Sequence, residues 1–362
     1  MKYRVLLFVM FCCLFLNGLQ ATAQSVYLVI AADVKATDIG LIAAIDQANI
    51  EYLFRTNVPD RQLNVTKIAY DKMSPEGIGV GINAMELTND DILVFYYSGH
   101  SSFDIDDLRQ FFKLPYGKLY RDELMETLHK KSARLTVLLS DCCNTPRGKN
   151  VVQALDYHPP EASRAASPLF NTLFFRNQGT VDLTSSKLGE YSVCDIRSSG
   201  NHGSCFTWAM IELMTENRDN NGMNWNEFVT ELTPIVAQAF RNNYPDGFGD
   251  QRTQTVTALA YPGMKPKPRP RPLDAGQEKF RFGARVLQRP SGGFVVLDVF
   301  DGSPAYLTGL EPGDIILEFD GVSVNSDEEF AKAIDKAGEE MDIKLIDVRT
   351  RKTMIQKVRL QK

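Results

Sequence analysis

Three short, uninterrupted apolar runs mark the first part of the chain: VYLVIAA at 26–32, DILVFYY at 91–97 and LTVLLS at 135–140. Runs of this length without polar alternation are typical of strands buried on both faces. Apolar positions at helical spacing recur over residues 39–55, 121–131, 206–214 and 225–240. Leu124, Met125 and Leu128 share a face in the second of these, and Pro234 predicts a kink in the last. Strands alternating with helices predict an α/β fold with a mainly parallel sheet flanked by helices. The last part of the chain changes to short strands, turn-forming Gly and Pro, and one helix, which predicts a small α+β module.

Two further segments bound these regions. Lys2 and Arg4 precede an uncharged apolar run at 5–16, and Ala21-Thr22-Ala23 follows as an A-x-A site. That layout is a secretory signal peptide over residues 1–23, and the run is short of the ~20 residues that span a bilayer. The expected location is secreted, or periplasmic if the source has an outer membrane, with no membrane span after cleavage. At residues 262–276 Lys265, Lys267, Arg269 and Arg271 alternate with prolines, which predicts an extended, semi-rigid linker. Docking of an acidic or proline-binding partner there is the lesser reading. The domain plan is therefore 24–261, a linker at 262–276, and 277–362.

Composition narrows the possibilities further. The chain has 362 residues, with 40 Lys+Arg against 45 Asp+Glu, and carries no basic excess to hold nucleic acid. A hydrophobic content of 44% is enough for a core and excludes disorder. The length exceeds the roughly 250–300 residues of one core, which favours two domains. Six cysteines are too few for a disulfide scaffold in so long a chain.

Two apolar runs end in reactive residues. The first leads into Ser98-Gly99-His100 and the second into Asp141-Cys142-Cys143, with the helical stretch 121–131 between them as a right-handed crossover. Neighbouring strands would set their ends about 5 Å apart, at the edge where open α/β sheets bind ligands. An imidazole there can favour the thiolate and later protonate a leaving amine, while strand-end amides aim at a developing oxyanion.

These segments resemble the caspase–metacaspase superfamily of cysteine proteases. YYSGH at 96–100 is similar to the family's histidine motif, and SDCCN at 140–144 to its D-x-C motif. TSSKLGEYS at 184–192 and GSCFTWAMIELM at 203–214 resemble the substrate-loop strand and the helix after it, and residues 25–55 resemble the first strand and helix. The resemblance implies His100 as general base and Cys143, rather than Cys142, as nucleophile, with the backbone amides of Ser101 and Cys143 as oxyanion donors. It implies a primary pocket of Asp46, Ser98 and Asp141, whose acidity would select a basic side chain. The expected activity is cysteine endopeptidase cleavage after Arg or Lys.

The chain departs from the family at several points. Ser101 stands where glycine is usual, and Asn144, Thr145 and Pro146 follow the cysteine, Pro146 removing a donor and stiffening the loop. The alternative reading is thus an inactive caspase-like scaffold that carries a peptide-binding module. The loop 144–179, with Arg147, Lys149, Arg164 and Arg176, is either a self-processing segment or a surface excursion.

Other candidates have plainer readings. His129 suits a helix end, and His158 and His202 sit in loops. Cys194 and Cys205 are read as buried core thiols, with a disulfide as the alternative. Asn217, Asp219, Asn221 and Gly222 begin like a calcium loop, but Phe228 occupies the place of the bidentate Glu. A helix–helix turn fits better. No cofactor or metal ligand set is expected, although calcium activates some relatives.

In the C-terminal region FRFGARV at 280–286, GGFVVLDVFDG at 292–302 and GLEPGDIILE at 309–318 resemble a bacterial-type PDZ domain. The resemblance implies a carboxylate-binding loop at Phe282, Gly283 and Ala284, and a groove flanked by Phe330 and Ile334. A peptide C-terminus would then add as a strand at the sheet edge.

Overall fold

The computed structural model describes residues 24–105, 109–143, 166–197, 200–248, 251–264 and 281–360. The signal segment, most of the 144–179 loop with His158, nearly all of the linker, and the His202 side chain lie outside the described residues.

The N-terminal unit is an α/β sandwich. Its sheet runs β1 (Val26–Ala32), β2 (Leu63–Lys67), β3 (Ile92–Ser98), β7 (Leu135–Asp141), β8 (Gly179–Thr184) and β11 (Thr257–Ala260), in the spatial order β11-β8-β7-β3-β1-β2. All neighbours are parallel except β11 against β8. Continuous apolar runs became the three central strands because both their faces are covered. Val137 and Leu139 lie in the core under α1 (Gly40–Asn57), α4 (Cys205–Glu216) and α5 (Trp225–Asn243), whereas Leu138 lies in the core on the opposite face. That opposite face is covered by α2 (Pro75–Asn83) and α3 (Arg121–His129). Helix α5 continues from Trp225 to Asn243 with Pro234 inside it.

Between β3 and α3 the chain also forms a three-stranded antiparallel sheet of β4 (Ser101–Phe103), β5 (Gln110–Leu114) and β6 (Gly117–Tyr120). The sequence pattern did not predict it, since strands of three to five residues carry too little periodicity. Buried Arg121 at the start of α3 ties the crossover to the sheet, pairing with Asp182 of β8 and bonding Ser140 of β7. A two-stranded hairpin, β9 (Cys194–Arg197) and β10 (Gly200–Ser204), leads into α4.

The C-terminal unit is an antiparallel sheet in the order β12-β13-β14-β16-β17. These strands are β12 (Ala284–Gln288), β13 (Phe294–Val299), β14 (Ile315–Phe319), β16 (Glu340–Ile346) and β17 (Thr353–Arg359), and the small β15 (Val322–Ser323) pairs with β14. It holds two helices where one was expected. Ser303 caps a short α6 (Pro304–Thr308), and Ser326 caps α7 (Asp327–Lys336). Phe282, Phe294, Phe319 and Phe330 form the aromatic centre of this core.

Candidate active site

Strand register builds the site. Ser98, the last residue of β3, pairs with Asp141, the last of β7, and also with Ala32 at the end of β1. His100 and Cys143 each stand two residues beyond these aligned ends, so both emerge at one carboxyl edge of the sheet. They line one open cleft together with Asp46, Ser98, Ser101, Asp141, Ser192 and Ser204.

Gly99 permits the turn out of β3. The Tyr97 hydroxyl lies where a Cβ on residue 99 would meet it at 2.6 Å. That hydroxyl donates to the His100 carbonyl at 2.7 Å, and the Lys113 amide of β5 donates to the same oxygen at 2.9 Å. The unforeseen small sheet thus pins the histidine backbone. On the imidazole, Nε2 lies 3.0 Å from the carboxylate of Asp38, a loop residue between β1 and α1. Burial draws the Asp38 carboxyl upward, but the hydrogen bond and charge of His100 outweigh it and hold it below the ordinary carboxylate value. Asp33, further up the same loop, is pushed up by burial.

The two cysteines part by strand alternation. Cys142 packs with Leu138 in the core below α3, buried, and its thiol is pushed up to about 12 by burial. Its amide donates to Ser185 Oγ at 3.0 Å, and Ser185 and Ser186 hydroxyls both donate to its carbonyl. Cys143 turns to the cleft and is half-buried. Its Sγ lies 3.7 Å from the Ser192 carbonyl, and burial, reinforced by the charge of Asp141, pushes its thiol up to about 11. The Ser101 hydroxyl donates to the Cys143 carbonyl. His100 and Cys143 share the cleft without a hydrogen bond between ring and sulfur: the ring faces Asp38 and the thiol faces Ser192.

The acidic residues do come together. Asp46 on α1 and Asp141 are both buried, and Ser204 lies between them. Its amide donates to Asp46 at 2.8 Å and its hydroxyl donates to Asp141. Gly203 makes this approach possible, with φ of +93° and Asp46 Oδ1 in the space a Cβ would need. Ser98 Oγ donates to Asp46 at 2.8 Å, while Asp141 accepts from Ser192 Oγ at 2.8 Å and from Thr207 Oγ1 at 2.6 Å. Burial, and for Asp46 also the neighbouring charge of Asp141, raises both carboxyls, Asp46 well above its ordinary value. One Asp46 oxygen accepts from the Ser204 amide and the other from Ser98 Oγ.

Asp38, Ser192, Ser204 and Thr207 were not singled out by sequence reasoning. Ser204 and Thr207 carry a legible sign, since Ser204 caps α4 and accepts from the Thr207 amide. Asp38 carries none.

The remaining candidates fall elsewhere. His129 Nε2 bonds Thr180 at the exposed end of α3. Cys194 is buried with its sulfur 3.7 Å from the Tyr244 hydroxyl, and Cys205 is fully buried at the start of α4. In the calcium-like segment Asn220 accepts from the Gly222 and Met223 amides, and Asn224 with Glu227 forms a capping box on α5. Among the described residues no three His, Cys, Asp or Glu gather as a metal site, and no helix is long and apolar enough to cross a membrane.

In the C-terminal unit Gly283, with φ of +82°, turns the loop between Phe282 and Ala284, and its carbonyl accepts from the Phe300 amide and the Ser303 hydroxyl. Phe330 and Ile334 of α7 are half-buried and pack against the core. Arg281 donates to the carbonyls of Ile334, Asp335 and Ala337, joining the loop to the end of α7. Among the described residues β12 pairs only with β13, so its other edge is open.

Residues 295–347 match the family model of the PDZ domain, and the C-terminal unit is one. Among solved structures the chain is similar to pro-sf-caspase-1 at 14% identity, over 66% of this chain and 92% of that one, with a TM-score of 0.42. It is also similar to the HtrA3 PDZ domain bound to a phage-derived ligand (FGRWV), at 20% identity over 23% of this chain and 86% of that one, with a TM-score of 0.21. The curated proteins offer no match.

Proposed function

We propose that the chain is a secreted cysteine endopeptidase that cleaves after Arg or Lys, with a PDZ domain that binds peptide C-termini. The observation carrying this reading is the Ser98–Asp141 register, which sets an imidazole and a half-buried thiol in one cleft beside two buried carboxylates.

The residues divide the work as follows. A basic side chain enters beside Asp46 and Asp141, and its positive charge favours their ionised forms. His100 takes the Cys143 proton and the sulfur adds to the scissile carbonyl, forming a C–S bond as the carbonyl oxygen becomes an oxyanion. The amides of Ser101 and Cys143 are the assigned donors to that oxygen. Collapse breaks the C–N bond, His100 protonates the leaving amine, and water then hydrolyses the thioester with His100 as base. Asp38 holds one ring nitrogen, which leaves the other for proton transfer and stabilises the imidazolium. The PDZ domain takes an extended peptide at the β12 edge.

Fluorogenic peptides ending in Arg, Lys or Asp, assayed on wild type, Cys143→Ala and His100→Ala, test this. Turnover of the basic peptides that both substitutions abolish is expected. Turnover after Asp alone would discard the pocket, and turnover retained by Cys143→Ala would discard the nucleophile.

The raised Cys143 thiol, unbonded to His100, favours a second reading, a scaffold without turnover. Absence of hydrolysis together with retained peptide binding to the PDZ domain would establish it.

A further inference from the structure

The PDZ domain is seated on the protease-like unit. On β13, Phe294 and Val296 face the PDZ core, while Val295 and Leu297 face outward and are buried against Phe103, with Ile105, Leu188 and Leu287 around them. Lys187 bridges the seam to Asp298 at 2.7 Å. Gly189 lies so close that a Cβ there would meet Leu297 at 3.1 Å and the Arg285 guanidinium at 3.2 Å. Apolar packing flanked by an ion pair is the make-up of a specific interface.

Both segments on the protease side lead directly to the thiol. Phe103 stands two residues after Ser101, whose hydroxyl donates to the Cys143 carbonyl. Residues 187–189 belong to the loop whose Ser185 and Ser186 hold Cys142 and whose Ser192 carbonyl accepts from the Cys143 thiol. The same loop position thus touches the PDZ domain at one end and keeps the nucleophile in its resting contact at the other.

Strand β12 carries both the peptide edge and the seam. Ala284 and Val286 pack toward the PDZ core, whereas Leu287 joins the seam and Arg285 approaches Gly189. A peptide added to the open edge runs about 5 Å from β12 and sets alternate side chains on the seam side. There it meets the space next to Leu188 and Gly189. The seam is also under-satisfied, because Arg285 Nε and Nη2 are buried without a hydrogen-bond partner. Buried donors left without a partner cost free energy, so the seated state is poised against release.

We propose that the PDZ domain is a peptide-operated brake on the thiol site. Seated on 103–105 and 187–189, it holds Cys143 against Ser192. An extended peptide C-terminus on β12 competes with that seat and frees the loop. The inference rests on Cys143 being the nucleophile of the proposed function.

The test uses the full chain with Leu297→Asp, from the PDZ side, and Leu188→Asp, from the loop side, with thermal melts to verify folding. Three quantities are read in a Cys142→Ala background: iodoacetamide labelling of Cys143, hydrogen exchange over 185–193, and hydrolysis of an Arg-ended peptide. The expected result is labelling at least about fivefold faster in both variants, with faster exchange, as ordinary site-to-site coupling gives. The tightest binder selected from a displayed library of free peptide C-termini should produce the same rise in the unseated chain's parent and none in the variants. Labelling and exchange unchanged in both folded variants would overturn the proposal, as would a library binder that leaves both unchanged. Faster labelling and exchange without hydrolysis would uphold the coupling while discarding the endopeptidase.

Discussion

The carboxylate of Asp38 lies 3.0 Å from His100 Nε2, so the general-base candidate is held by an acidic group from a different loop. The carboxyl is held below its ordinary value despite its burial. Its contribution to stability is therefore complete above the ordinary carboxylate range and is lost as pH falls through the depressed value. Asp38→Asn keeps the shape and removes the charge. It should lower kcat/KM by about 10²-fold without a comparable change in Tm at neutral pH, checked by parallel kinetics and melts. Equal kcat/KM would remove Asp38 from the machinery.

The paired carboxylates show the opposite sign. Asp46 binds its proton more tightly folded than unfolded, because it is buried beside Asp141. Its ionised form opposes folding, so wild type gains stability as pH falls through the raised value toward the ordinary carboxylate range. Asp46→Asn should be at least as stable as wild type at neutral pH, and this advantage should shrink on acidification. Cleavage after Arg should fall by roughly 10²-fold, since the substrate cation loses a buried partner. Melts across pH and Arg-ended peptide kinetics read the two effects separately.

The cysteines should behave differently though adjacent. Cys143, half-buried and pushed up to about 11, should label with iodoacetamide at a rate that keeps rising with pH beyond 9. Cys142, 2% exposed, should stay unlabelled until unfolding. Cys142→Ala should cost on the order of 1 kcal/mol and retain hydrolysis, whereas Cys143→Ala should abolish it. Mass spectrometry of the labelled peptides, with assays of each variant, checks this.

Arg121 gives a prediction on stability. Its side chain is 6% exposed and pairs with Asp182, itself 12% exposed, while bonding Ser140 on the central β7. Arg121→Met leaves Asp182 without its cation and should cost about 3 kcal/mol or more in urea unfolding. Arg121→Met combined with Asp182→Leu should recover much of that loss, because an apolar pair replaces the ionic one.

Much of this was legible along the chain. The three apolar runs became β1, β3 and β7 because a strand covered on both faces must be apolar throughout, and a one-dimensional pattern records that. Ser98-Gly99-His100 and Asp141-Cys142-Cys143 announced themselves as strand ends followed by reactive groups. The choice of Cys143 over Cys142 came from resemblance; alternation about the end of β7 packs Cys142 in the core and leaves Cys143 half-buried in the cleft. The short β4–β6 sheet was missed because its strands are too brief to show a period.

Sequence by itself determined the layered α/β plan, the PDZ module and the residue types that could perform thiol chemistry, since these depend on local periodicity and on side-chain identity. Only tertiary structure decided that Asp38 meets His100, that Ser204 lies between Asp46 and Asp141, and that Leu297 seats beside Leu188. Each joins residues far apart in the chain, where no spacing or period encodes the contact. Packing of the helices on the sheet, and of one domain on the other, brings them within reach.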